Sequence, residues 1–553
     1  MENLAFTDWK GKPINKIKHG GAKATYFIHF LVAATNMAFV PNMMNLVTYL
    51  HDEMHTEIAS SSTMVTNFIG TTSAFALLGA FLSDSYITRF KSILIFGPID
   101  FLGYALLAFQ AHLPSLRPPK CDTINHWNTC KRVQNHNAAI LYLSLYTIAF
   151  GEGCLRSSMA SFGGDQFDDE DPLESPQKSS FFNWYTFDIS LGAFIGLIFI
   201  VWIENNKGWD YGFTISALSV LLGVVSLASG FSFYRNQRPR GSPLTRILQV
   251  FVAAFRKRAI NLPENADELH HLDIKGEIFG MEVLSHTIGL KFIDKAAIAH
   301  GNTSAWSLCT VSQVEETKIL IRMLPIFVSS LSCYLCVPLL LTFTVQQGNT
   351  MNTKLGKINF SPASLMIIPV TFQLVFLVLY DLLFVPFARR ITGYRNGITH
   401  LQRIGVGFLS ISAAMCIAAL VEGKRKRSAE LSVFWLGAQF FLIGVSDVTS
   451  FVGLLELFVE EASVGMKSMA TAIFYCVLGL ASLLSTFVVE VVNRATRHGK
   501  EGNGWLDGDD LNKTHLDRFY WLLSGLGFLG LLNYLYWAKK YVYRHDPRVR
   551  SAT

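Results

Sequence analysis

The sequence predicts an all-α membrane protein with twelve transmembrane helices arranged as two six-helix bundles. Three observations predict this. Apolar stretches long enough to cross ~30 Å of hydrocarbon recur twelve times along the chain. Charged residues make up only 16%, apolar residues 50%, and the mean hydropathy is +0.32, whereas soluble chains average about 25% charged. A long polar stretch, 234–318, separates the first six apolar runs from the last six.

The spans are expected at 24–50, 64–82, 92–111, 137–156, 181–203 and 211–233, then at 319–345, 361–387, 404–421, 431–452, 469–492 and 518–537. The first and eighth are long and contain Pro41, Pro362 and Pro369, which fits tilt or kinks. Residues 1–23 carry Lys10, Lys12, Lys16 and Lys18 without a long apolar core, and so read as a cytosolic tail rather than a secretory signal. The expected organisation is this tail, a first bundle at 24–233, a central loop at 234–318, a second bundle at 319–537 and a tail at 538–553.

Lys and Arg concentrate in the two tails and in the central loop, which places both termini inside. Lys424-Arg425-Lys426-Arg427 falls outside and opposes that bias. Basic loops facing anionic lipid account for the net charge of +6 without any nucleic-acid partner. Within the central loop, Leu244 to Ala259 has apolar residues at helical spacing amid Arg246, Arg256, Lys257 and Arg258. It reads as an amphipathic helix lying on the inner leaflet. There is no G-x-x-x-x-G-K-[ST] run and no His/Cys cluster at metal-site spacing, so neither ATP, a metal nor another cofactor is implied. The sequence also lacks a visible nucleophile–base pairing, which leaves an enzyme the least favoured class.

Five of the eight cysteines, Cys154, Cys333, Cys336, Cys416 and Cys476, fall in spans, where cysteine behaves as a small apolar residue. Cys121 and Cys130 lie in an outer loop, where an oxidising compartment permits a disulfide; free thiols are the alternative. Asn512-Lys513-Thr514 is a glycosylation sequon on the same side.

The chemistry resides in charges placed inside apolar runs. Arg156 sits in the fourth span with Glu152 one turn before it, on the same helical face. A cation there costs about 2.5–3.5 kcal/mol on insertion scales unless it faces water or a counter-ion. A polar path through the membrane is therefore expected at this pair. Asp188 in the fifth span is a further intramembrane acid. Near the inner ends of the second and eighth spans stand Asp84, followed by Arg89 and Lys91, and Asp381, followed by Arg389 and Arg390. An acid followed by loop cations, repeated half a chain apart, reads as a latch that holds one face shut. Stop-transfer charges at a membrane edge are the alternative.

Six spans, a central loop and six more spans with a duplicated latch give the two-bundle plan of the major facilitator superfamily. Within it the chain resembles the plant nitrate/peptide transporter family, part of the proton-coupled oligopeptide transporter group. The residues that carry the resemblance are Gly79 to Tyr86, Gly163-Gly164-Asp165-Gln166-Phe167, Phe181-Phe182-Asn183-Trp184-Tyr185, Cys309 to Glu316 and Phe519 to Leu523. Asp8-Trp9-Lys10-Gly11, Lys18-His19-Gly20-Gly21 and Val345-Gln346-Gln347-Gly348 look most like the branch that includes abscisic acid importers.

The resemblance implies that Arg156 stands where the family has its fourth-span cation and Asp447 where it has its tenth-span acid, the two coupling across a central cavity. The family's E-x-x-E-[RK] in the first span falls on Val32, Thr35 and Asn36, so its usual proton-binding groups are missing. The nitrate-holding His of the seventh span falls on Val337. The function implied is secondary transport of a small organic anion, a hormone or specialised metabolite. Arg156, Tyr185 and Asp447 would contact it, and protons would couple, if at all, through Glu152, Asp188 or Asp447. A low-affinity nitrate carrier and a ligand-binding membrane receptor are the alternatives. The plasma membrane is the expected location and the vacuolar membrane the alternative.

Overall fold

The computed structural model describes residues 6–543 apart from 16–17, 57, 120–134, 169–170, 172, 238–242, 264, 266–267, 271–283, 288, 300–303, 353, 356–357, 360–366, 395–396, 429–430, 464–465, 498–503, 507–511 and 513. Twelve helices among the described residues are long and apolar enough to cross a membrane: Gly21–Glu53, Met64–Ser85, Arg89–His112, Asn137–Gly164, Glu174–Asn206, Trp209–Ser229, Val311–Gly348, Ile367–Thr392, His400–Arg427, Val433–Glu461, Lys467–Thr496 and Leu516–Lys540. They are spans 1 to 12 below, and the face assigned to the cytosol by charge is called the inner face. Every expected span is present. Most run longer than their apolar runs because polar first and last turns continue the helix outside hydrocarbon. Span 4 continues to Gly164, so Arg156 lies two turns inside it rather than at its end. Pro362 lies outside the described residues. Span 8 carries a wide π-type turn at Tyr380–Phe384, span 10 carries another at Asp447–Phe451, and a third ends span 1 at Tyr49–Glu53. Such turns often mark functional positions.

In the first bundle, span 3 packs on spans 4 and 6, span 1 on spans 5 and 6, and span 2 on span 4. In the second, span 9 packs on spans 10 and 12, and span 7 on span 12. The bundles meet where spans 2 and 4 touch span 11 and span 5 touches span 8. Close crossings rest on glycine. A Cβ at Gly79 would come within 2.4 Å of the Cys154 backbone, and one at Gly151 within 2.4 Å of the Asp100 backbone nitrogen. Small residues at such crossings let helices associate in lipid, where the hydrophobic effect does not drive them together.

The amphipathic helix forms at Pro243–Arg256. Its Val250, Ala253 and Ala254 pack with Ile293, Ala296 and Val314 in a satellite core, so this side of it faces protein. Leu244, Leu248, Phe251 and Phe255, on the other side, stay exposed and are the residues available to the inner leaflet. The N-terminal tail is anchored more firmly than the sequence implies. Phe6–Thr7 pairs antiparallel with Asn236–Gln237, and Trp9 meets Phe231 edge to face at 5.1 Å. Cys333 and Cys336 are buried free thiols facing the carbonyls of Gly527 and Leu523 at 4.0 and 3.6 Å. Cys121 and Cys130 lie outside the described residues.

Candidate substrate site and its inner gate

Span 4 presents Arg156 to the seam between the bundles. Its Nε donates to Glu152 of the preceding turn, and its Nη2 donates to Asn36 of span 1 at 3.1 Å. The guanidinium lies 4.1 Å from the Phe39 ring centre and 5.7 Å from that of Tyr475, one ring from each bundle. The Arg156 side chain keeps 16% exposure while Glu152 keeps 1%. The arginine therefore faces the interbundle space while its counter-ion is sealed behind it. Nη1 makes no hydrogen bond to any described residue. Arginine on an aromatic face with a spare donor is suited to a planar carboxylate.

The expected partnership of Arg156 with Asp447 is not formed. Glu152, one turn away on the same helix, is the nearer carboxylate and takes the guanidinium. Asp447 opens the wide turn of span 10, half-buried, with no hydrogen bond or ion pair among the described residues. Tyr185 is buried, its ring 5.8 Å from Phe181 and its hydroxyl facing that of Tyr475. It forms part of the wall behind Arg156 rather than an open surface. Asp188 pairs with Nδ1 of His29, a span 1 residue that sequence reasoning passed over.

The inner ends of the bundles are tied by polar contacts. Arg89, 5% exposed, donates to Asp84 at 2.9 Å and to Asp165. It also donates to Ser468 of span 11 at 2.6 Å and to Gln237 at 2.6 Å. Asp84 in turn accepts from the Met469 backbone at 3.0 Å, and Lys467 reaches Asp165 at 3.4 Å. The residues of the first expected latch thus contact span 11 of the opposite bundle, together with the Asp165 of the Gly-Gly-Asp-Gln-Phe motif. Lys91 is exposed and contributes its backbone N–H to the Thr88 cap.

The second latch departs from expectation. Asp381 accepts from Ser180 at 2.6 Å and Asn183 at 2.8 Å, both of span 5. Arg389 is half-buried and Arg390 exposed. The cation buried at this place is Arg403 of span 9, which donates to Asn183 and to the Val448 carbonyl and lies 3.5 Å from Glu456. Glu456 also accepts from Ser179 at 2.8 Å. Chain neighbours read as latch partners lose here to residues of other helices.

On the outer face, two cations of the basic run that opposed the charge bias are paired with local carboxylates and a third lies on an aromatic ring. Arg425 is clamped by both Glu422 oxygens at 2.8 Å, Lys426 reaches Asp517 at 2.5 Å, and Lys424 lies 4.2 Å from the Trp435 ring centre. Asn512 is exposed and its Oδ1 accepts from Arg425 at 2.8 Å. Two His–carboxylate groups that the sequence did not reveal also form, His286 with Asp294 and Glu315, and His400 with Glu456 and Glu460. Each already has a cation, Lys318 at 2.6 Å from Asp294 and Arg403 at 3.5 Å from Glu456.

The family model described as the POT family matches residues 90–506. The chain belongs to the POT family. Its relative NRT1/PTR FAMILY 4.3 of Arabidopsis thaliana is 41% identical over 544 residues, covering 96% of this chain and 92% of the relative. The crystal structure of an auto-inhibited POT family peptide transporter superposes with a TM-score of 0.61 at 15% identity, covering 94% of this chain and 97% of that one. A POT family transporter crystallised with 5-aminolevulinic acid superposes with a TM-score of 0.60 at 12% identity, covering 95% and 99%. The chain is a multi-pass membrane transporter of small molecules with a major facilitator fold, and not an enzyme.

Against that POT family frame, Val32, Thr35 and Asn36 are buried, and their polar atoms are engaged. Thr35 bonds the Leu31 carbonyl at 3.0 Å, and Asn36 bonds the Val32 carbonyl and Arg156. The acid behind the site that sequence reasoning missed is Asp100 of span 3, fully buried and next to Glu152. A lone Asp in an apolar run was the available signal.

Proposed function

We propose that this transporter carries a small organic anion, a plant hormone or specialised metabolite, by alternating access, with the abscisic acid importers as the branch it resembles. The observation that carries the reading is Arg156: it faces the seam with Nη1 uncommitted while Phe39 and Tyr475 flank its guanidinium. The anion's carboxylate would take that donor and its apolar body the two rings. Val337 at the seventh-span position packs against the main core and offers nothing to a small hydrated anion. The 5-aminolevulinic acid complex of a POT family neighbour is consistent with an amphipathic acid as cargo. The plasma membrane is the proposed location.

Uptake of hormones, nitrate, dipeptides and glycosides by expressing oocytes at acidic and neutral external pH tests this. Concentrative uptake of an organic acid, faster at acidic pH and lost in Arg156→Ala, supports proton-coupled carriage. Equal, non-concentrative rates point to a facilitator. Nitrate currents that vanish in the same variant favour the nitrate reading, and ligand binding without flux in liposomes favours a receptor.

A further inference from the structure

Asp100 stands in the middle of span 3 and is 0% exposed, as is Glu152. Gly151 brings spans 3 and 4 so close that the Asp100 backbone touches it, and this sets the Asp100 and Glu152 carboxyls against each other. Neither Asp100 oxygen meets a hydrogen-bond donor, nor does Oε2 of Glu152. Only Glu152 Oε1 is engaged, by Arg156.

The groups that face the pair leave it one charge out of balance. Span 4 contributes Arg156, the cation there among the described residues, and span 3 contributes the buried phenol of Tyr104. Span 1 offers the neutral Asn36, bound to Arg156. Spans 5 and 11 offer the Tyr185 and Tyr475 phenols beyond Arg156. Span 2 meets span 4 here through Thr72 and Phe75, and span 6 meets span 3 through Val224, none of them charged. Two ionised carboxylates against one guanidinium would bury an uncompensated negative charge beside three oxygens that accept from no donor. Such a site is strongly disfavoured, and two carboxyls in contact resolve it by sharing a proton.

We propose that Asp100 and Glu152 hold one proton between them, and that this pair is the transporter's proton site in place of the first-span acids the chain lacks. With the proton present, one O–H···O bond engages an oxygen of each carboxyl, and the site is neutral with Arg156 counted. Loss of the proton leaves two carboxylates pulling on the guanidinium and draws it away from the seam. Proton binding and an open Nη1 therefore go together, as a symporter requires. Its use in coupling rests on the carrier reading, while the bound proton itself does not.

Infrared difference spectroscopy on purified full-length protein in liposomes, with no ligand added, tests it. The expected result is a buried carboxylic-acid C=O band near neutral pH in the wild type that is absent from both Asp100→Asn and Glu152→Gln. Removing either acid of the pair removes the shared proton. Where Asp100→Asn does not fold, Asp100→Glu keeps the pair and moves the band. A wild type without the band, or a band untouched by all three substitutions, overturns the proposal. Neither result depends on cargo or flux, so the anion reading stands or falls separately.

Discussion

Arg403 donates from Nη2 to Oδ1 of Asn183 at 3.0 Å, so a cation of span 9 is held by a side chain of span 5 across the bundle interface. The same Asn183 donates to Asp381 at 2.8 Å. One neutral amide thus bridges a buried cation and a carboxylate at the inner face. Asn183→Leu removes both hydrogen bonds, each to a charged partner worth about 1.5–3 kcal/mol. The inner gate is expected to open more often, by roughly a hundredfold or more. A cysteine introduced at Ser179 and labelled from the inner side by an impermeant maleimide reads this directly. Unchanged labelling would show that the gate is held elsewhere.

Arg156→Ala strands Glu152 behind the site. Breaking a buried ion pair by removing one partner costs about 3–5 kcal/mol. The single variant is expected to lose thermal stability, and the double variant Glu152→Gln/Arg156→Ala to regain a large part of it. Additive losses in thermal unfolding would contradict the pairing. Arg156→Lys keeps the charge and loses the planar fork, so it should preserve folding better than it preserves anion affinity.

Cys309, outside the spans, is 1% exposed, and burial pushes its thiol up to about 11. A raised pKa means less thiolate at a given pH, and thiolate is the reactive form. Near neutral pH, alkylation in the folded protein should be slower by on the order of a hundredfold than for an exposed cysteine of pKa about 8.5. The rate should climb roughly tenfold per pH unit until the thiol titrates. Mass-spectrometric rates across pH measure this, and fast labelling at pH 8 would refute it.

Asn512 is exposed on the face assigned to the outside. Translation with microsomes is expected to attach a glycan at Asn512 that Asn512→Gln removes. Absence of that shift would argue against the assigned orientation.

The spans were legible because lipid demands long apolar runs, and the run from 92 to 111 announced span 3 without any tertiary information. Arg156 and Glu152 were legible because their spacing places them on one helical face. Asp84 and Arg89 were legible in part, the pair being local while their hold on Ser468 and Met469 comes from a helix almost four hundred residues away. Arg403 was not legible, since at the expected edge of a span it reads as an ordinary stop charge. The packing of spans 5, 8, 9 and 10 buries it. Asp381 was misassigned to Arg389 and Arg390 for the same reason. Asp100 carried a signal, an acid inside an apolar run, but its meaning depends on the glycine that seats it against Glu152.

The two-residue ribbon near the N-terminus has one more implication. Gln237 pairs with Phe6 on its backbone and accepts from Arg89 on its side chain. Whatever tugs at the leading residues, a fused reporter or a docked regulator, pulls through one amino acid on the inner latch. Reporters joined ahead of Phe6 are thus apt to bias which way the carrier faces, and attachment at the far terminus is the safer choice for expression work.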